Sequence, residues 1–142
     1  MNKRGDIIIV EDDPDEWEIL LEVFEQVMDE NGFDNRVVIF EESTMVVDFL
    51  KESEEDPFMI LSDINMPYLD GFELCEEICN DSELKNRSIP FIFLTTCENV
   101  DFMGRAESMG VDGYYVKPTK IEEYKVLIKN IFCQFMDCPV DA

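Results

Sequence analysis

A doubly wound α/β fold built on a parallel five-stranded sheet is what this sequence predicts, and three observations lead there. Apolar runs of strand length alternate with stretches of helical period. The runs are apolar almost throughout, as strands covered on both faces must be. Cap and turn signals separate one element from the next. Parallel strands need crossover connections, and right-handed crossovers distribute the helices over both sides of the sheet.

Taken in order, Ile7–Val10 is the first strand, and Trp17, Leu20, Leu21, Phe24, Val27 and Met28 then recur at helical spacing. Asp13 before Pro14 has the form of an N-cap and first helical residue, and Asn31-Gly32 supplies the stop. Val37–Phe40 is the second strand, after which Ser43 can cap a short helix carrying Val46, Val47 and Leu50. Asp56-Pro57 breaks that helix ahead of a third strand over residues 58–62 and a loop over 65–71. A third helix is expected over 72–79, followed by a polar connection over 81–90 and a fourth strand, Phe91–Thr95. Phe102, Met103, Ala106 and Met109 mark the fourth helix, with Gly110 as its stop. The fifth strand covers 114–116. Thr119-Lys120-Ile121-Glu122 has a capping-box pattern, opening a last helix through Tyr124, Leu127, Ile128, Ile131, Phe132 and Phe135.

The 142 residues suit one domain, 1–142, with a core over about 6–135 and a short frayed tail from about Asp137. The apolar run behind Lys3 and Arg4 is too short for a signal peptide or a membrane span, so a soluble, cytoplasmic protein is expected. Cys75, Cys79, Cys97, Cys133 and Cys138 show no C-x-x-C spacing and have no histidine to complete a zinc site, so they read as reduced thiols. A formal charge of −23 excludes direct nucleic-acid binding, which draws its affinity from Lys and Arg releasing counterions. Most of the acids are solvated helix surface, as in residues 52–56.

In an open α/β sheet, ligands bind outside the carboxyl ends of the strands. Strand one ends in Glu11, Asp12 and Asp13, strand three in Ser62 and Asp63, strand four in Thr95 and Thr96, and strand five in Lys117. Each has an ordinary reading alone: Asp13 as a cap, Asp63 as a turn former, Thr95 as a β-branched strand residue, Lys117 as a snorkelling surface lysine. Together at four strand ends they describe a cleft. Glu11, Asp12 and Asp63 bring three negative charges and Lys117 one positive charge, so a divalent cation balances the sum. Oxygen donors without imidazole suit a hard ion, and Mg²⁺ characteristically binds one or two carboxylates together with phosphate oxygens.

Four segments carry a family resemblance: Ile-Val-Glu-Asp-Asp at 9–13, Leu-Ser-Asp-Ile-Asn-Met-Pro-Tyr-Leu-Asp-Gly at 61–71, Phe-Leu-Thr-Thr at 93–96, and Gly-Tyr-Tyr-Val-Lys-Pro at 113–118. Here the chain resembles the CheY-like receiver domains of two-component response regulators, over about residues 6–135 and in a single-domain form. The resemblance implies a flavodoxin-like sheet of order 2-1-3-4-5, a topology for which a chemotaxis receiver is one of the standard illustrations. It implies that Glu11 and Asp12 help hold Mg²⁺, and that Asp63 is both a metal ligand and the phosphoryl acceptor. Asn65 would give the metal its backbone carbonyl. Lys117 would contact the phosphoryl oxygens, with a cis bond to Pro118; Thr95 and Tyr114 would be the switch pair. Cys97 falls where the family tunes water access to the acyl phosphate.

On that resemblance Asp63 attacks phosphorus in line, and the protein supplies positioning and electrostatics rather than a general base. Such a domain catalyses only its own phosphorylation and dephosphorylation. With no histidine in the chain, the phosphohistidine must come from a separate sensor histidine kinase or histidine phosphotransfer protein. A downstream protein target, and a possible homodimer, would use the face made by helix four, strand five and helix five. Three alternatives share parts of the pattern. A haloacid-dehalogenase-type phosphohydrolase needs a second Asp where Asn65 stands. A flavodoxin needs a neutral, glycine-rich first loop in place of Glu11-Asp12-Asp13. A pseudo-receiver would keep the fold and dispense with phosphorylation.

Overall fold

The computed structural model describes residues 2–136. Its elements in chain order are β1 (Ile7–Val10), α1 (Pro14–Asn31), β2 (Val37–Phe40), a single 3-10 turn (Ser43–Met45), α2 (Val46–Glu52), β3 (Met59–Ser62), α3 (Gly71–Asn80), β4 (Phe91–Thr95), α4 (Val100–Ser108), β5 (Gly113–Val116) and α5 (Ile121–Phe135). The strands form one parallel sheet of order β2-β1-β3-β4-β5, the doubly wound flavodoxin-like order that the sequence implied.

Alternation along each strand divides the core into two layers, because successive side chains leave opposite faces. Ile7, Ile9, Met59, Leu61, Ile92 and Leu94 point to the side covered by α1 and α5, where they meet Phe24, Ile128 and Phe132. Ile8, Val10, Ile60, Phe91 and Phe93 point to the other side, against Val46 and Leu50 of α2, Phe72 and Leu74 of α3, and Ala106 of α4. The central strands β1, β3 and β4 are buried along their whole length, whereas the edge strands β2 and β5 are half-exposed. A fully buried Ile or Phe contributes about 1.5–3 kcal/mol, so the three central strands dominate the sheet's stability.

Local signals fix some helix ends and not others. The Asp13 carboxylate accepts from the Asp15 N–H and Pro14 opens α1, as expected, while Gly32 at φ 71° closes it in the left-handed conformation that costs glycine least. α3 begins at Gly71, one residue earlier than predicted, with a reciprocal capping box between Asp70 and Glu73. The capping box expected at Thr119 does not form: Lys120 holds the N-cap position without a side-chain bond. The register of α5 is set instead by Tyr124, Ile128, Ile131 and Phe132, whose burial outweighs a cap worth about 1 kcal/mol. Nor does Ser43 cap α2. It lies in the 3-10 turn, and its hydroxyl donates to the Leu69 carbonyl, tying that turn to the loop after β3.

Two further expectations are corrected. No peptide bond among the described residues is cis, so Lys117–Pro118 is trans; an X-Pro bond prefers trans by only about 0.5–1 kcal/mol, and surrounding structure decides the isomer. Cys75, Cys79 and Cys97 are free thiols, but Cys133 is disulfide-bonded. Whether two cysteines come within bonding reach depends on the backbone path, which their spacing in sequence leaves open. Cys138 and the tail from Asp137 lie outside the described residues. No helix among the described residues is long and apolar enough to cross a membrane.

Candidate functional site

β1 and β3 are neighbours in register, with Val10 opposite Ser62, so the next residue on each, Glu11 and Asp63, leave the sheet side by side. The Asp63 N–H donates to the Val10 carbonyl at 3.0 Å and extends the ladder one step past the strand. On the other flank β4 pairs with β5, Thr95 opposite Val116, and the Lys117 N–H donates to the Thr95 carbonyl at 2.8 Å. Four strand ends thus deliver Glu11, Asp63, Thr95 and Lys117 to one edge, as the sequence predicted.

Lys117 is the centre of the cluster. Its ammonium donates to Glu11 Oε2 at 2.6 Å and to Glu16 Oε2 at 3.1 Å, and it stands 3.6 Å from Asp63 Oδ2. The Lys117 and Glu11 side chains are only 4% and 3% exposed. Burial pushes the Glu11 carboxyl up to about 7 against the opposing pull of Lys117, and the nearby Asp63 adds to the rise. Burial works against the charge on Lys117, but its hydrogen bond to Glu11 and the charges of Asp63 and Glu11 outweigh it and hold the ammonium above its ordinary range.

Both Glu11 oxygens are engaged, since Oε1 accepts the Asp13 N–H at 3.1 Å. Asp63 is half-engaged: Oδ1 accepts the Ile64 N–H at 2.7 Å, whereas the lysine 3.6 Å away is the neighbour of Oδ2. The Ser62 hydroxyl donates to the Asp63 carbonyl at 2.7 Å. Gly71 is required here, because a Cβ on it would collide with that same carbonyl oxygen and with the Ile64 Cα. Glycine therefore lets the start of α3 press against the backbone of Asp63 and Ile64.

Three charges facing one lysine was the expectation, and the structure rearranges it. Glu11 is turned onto Lys117, Asp12 is half-buried in an open pocket with Glu41, Glu42, Thr44 and Tyr68, and Asn65 is exposed. Among the described residues no group of three or more His, Cys, Asp or Glu side chains is arranged to hold a metal. The donors that remain, the Asp12 and Asp63 carboxylates and the Asn65 carbonyl, are all oxygen and fit a hard cation that keeps most of its waters.

Thr95 and Tyr114 meet through Cys97. Thr95 is buried, and its Oγ1 accepts the Cys97 N–H at 3.3 Å. The Tyr114 hydroxyl donates to the Cys97 carbonyl at 2.7 Å, and burial of the half-exposed ring pushes its phenol up to about 12.

Three participants escaped the sequence reading. Glu16 reaches Lys117 from the first turn of α1; acids in that turn are near the β1 end by topology, but no local rule says which of Asp15 and Glu16 points inward. Tyr68 is 93% exposed with φ 68°, on a tight turn closed by the Leu69 N–H and the Pro67 carbonyl. Tyr124, predicted as core, is buried, yet its hydroxyl has no hydrogen-bond partner among the described residues and feels the charges of Lys117, Glu16, Glu11 and Asp63.

Comparison with known proteins places this geometry. A response regulator receiver domain profile matches residues 7–129. The probable methanogenesis regulatory protein FilR2 of Methanothrix harundinacea (strain 6Ac) is 30% identical over 129 residues, which cover 88% of this chain and 79% of that protein. Chemotaxis protein CheY-3 of Vibrio cholerae serotype O1 is 27% identical over 132 residues, 93% of this chain and 95% of that one. The Mn(2+)-bound form of response regulator Rcp1 shares the fold with a TM-score of 0.77 at 24% identity, over 97% of this chain and 99% of that one. Other curated relatives are longer, and the chain spans only 11–30% of their length.

Proposed function

Because this chain belongs to the response regulator receiver domain family, whose members receive signals in two-component systems, we propose that Asp63 accepts a phosphoryl group from a phosphohistidine on a partner histidine kinase or phosphotransfer protein. The observation that carries this reading is Asp63 Oδ2, held at the sheet edge by a backbone bond to its sister oxygen, 3.6 Å from a buried lysine.

In the proposed reaction an Asp63 oxygen attacks phosphorus in line. The new P–O bond forms as the donor's N–P bond breaks, and the departing imidazole takes up a proton. Lys117 faces the equatorial oxygens and neutralises part of their charge. Mg²⁺, which Asp12, Asp63 and the Asn65 carbonyl would hold, supplies the remaining positive charge, with Glu11 acting from behind Lys117. These 142 residues contain no histidine, so the phosphohistidine lies outside them.

Read-out would pass through Cys97. When the Thr95 hydroxyl turns toward a phosphoryl on Asp63 it gives up the Cys97 N–H, and the same residue's carbonyl anchors Tyr114. That coupling would bias the face of α4, β5 and α5, where Val100, Met103, Ile121 and Val126 are exposed, between two populations. A downstream protein or a second copy of the chain would bind there, in the cytoplasm, without contact to nucleic acid.

Incubation with acetyl phosphate and Mg²⁺ should add the mass of one phosphoryl group, read by intact-protein mass spectrometry. Asp63→Asn should abolish the gain, and EDTA should suppress it. A phosphoryl that persists in Asp63→Asn would refute the acceptor.

A further inference from the structure

Glu16 is the participant in the site that neither the strand-end pattern nor the proposed reaction uses. Its carboxylate reaches the ammonium of Lys117 at 3.1 Å, closer than the 3.6 Å that separates that ammonium from Asp63. The Glu16 side chain is 36% exposed, so its own charge is not trapped, whereas Lys117 is buried and has few places to turn. Lys117 therefore sits in a contest, drawn one way by Glu11 at the end of β1 and Glu16 of α1 and the other way by Asp63 at the end of β3.

We propose that Glu16 is a positioning residue that holds Lys117 back from Asp63 in the unphosphorylated protein and so slows acceptance of the phosphoryl group. This rests on the reading of Asp63 as acceptor. A phosphoryl group at Asp63 brings new anionic oxygens to the far side of Lys117. To contact them the ammonium must yield its longer bond, the one to Glu16, before the 2.6 Å bond to Glu11.

The test is the rate of phosphoryl uptake from acetyl phosphate with Mg²⁺, followed by intact mass over a range of donor concentrations in wild type, Glu16→Gln and Glu18→Gln. Glutamine keeps the size of Glu16 and loses the charge that restrains Lys117. The maximal rate should rise about threefold in Glu16→Gln. Glu18 is an exposed acid on the same helix that does not reach Lys117, so its variant reports the general effect of removing one negative charge from a protein of charge −23 that meets an anionic donor. That general effect lowers the half-saturating donor concentration and leaves the maximal rate alone. Equal maximal rates in wild type and Glu16→Gln, or an equal rise in Glu18→Gln, would overturn the proposal while leaving Asp63 as acceptor. A wild type that gains no mass would overturn both. The ammonium ¹⁵N signal of Lys117, recorded without donor, should shift in Glu16→Gln and stay in place in Glu18→Gln; no shift in either would remove the contact on which the proposal stands.

Discussion

Two ion pairs of identical length stand at opposite ends of the sheet. At the carboxyl end Lys117 meets Glu11 at 2.6 Å, with side chains 4% and 3% exposed; at the amino end Arg36 meets Asp6 at 2.6 Å, with side chains 69% and 27% exposed. Distance does not distinguish them, and solvent does. Water screens the Arg36 pair and would solvate either partner alone, so the pair adds little to stability. The Lys117 pair has lost its water, so the lysine cannot be removed without stranding the buried Glu11 carboxylate. The lesson is that the carboxyl end of the sheet, where the proposed acceptor stands, is the end where the chain tolerates buried charge.

The sharpest way to break this contrast is Lys117→Met, which keeps bulk and deletes the ammonium. It should cost about 3–5 kcal/mol in urea unfolding at pH 8, because Glu11 remains buried without a counter-charge, and the cost should shrink at pH 5, where Glu11 is free to protonate. A loss equal at both values would show that packing, not charge, is at stake.

Next in size is the pH response of Glu11 itself. Its carboxyl titrates near 7 in the folded protein against an ordinary 4.5. Between those values the folded state binds the proton more readily than the unfolded state, so this group's contribution to stability is complete below 4.5 and is lost as pH rises through 7. In metal-free buffer Glu11→Gln should flatten that part of the profile, measured as urea midpoints from pH 4.5 to 8. An unchanged slope would assign the titration to another group.

Tyr124→Phe removes a buried hydroxyl that has no partner, and should raise stability by about 1 kcal/mol in the unphosphorylated protein. A loss instead would reveal a bond that water supplies. The smallest effect belongs to the exposed end: Arg36→Ala should leave the urea midpoint nearly where it was, and 1 M salt should erase what difference there is. If Arg36→Ala proved as damaging as Lys117→Met, burial would not be what separates the pairs.

Much of this architecture was legible beforehand. The core strands announced themselves because Ile7–Val10 and Phe91–Thr95 are apolar runs bounded by polar residues, and α1 because Asp13, Pro14 and Gly32 each satisfy a local backbone need. Glu11, Asp63, Thr95 and Lys117 could be grouped because a parallel sheet delivers every strand end to one edge. The signals failed where a distant partner overrode a nearby one. Ser43 serves the Leu69 carbonyl rather than α2, and Thr119 yields to the packing of α5. The capping box at Asp70 is a local signal that went unread in a stretch taken as loop.

The sequence by itself determined the order of strands and helices along the chain, the face each strand residue takes, and which side chains arrive at the carboxyl edge of the sheet, because these follow from periodicity and backbone chemistry over a few residues. Only the tertiary structure decided how those side chains are apportioned: Glu11 to Lys117 across 106 residues, Glu16 to the same ammonium across 101, and Asp63 Oδ2 held off at 3.6 Å from it. The physical reason is that charges buried at one edge compete for a single cation, and the outcome depends on ångström-scale differences in approach that no spacing along the chain encodes.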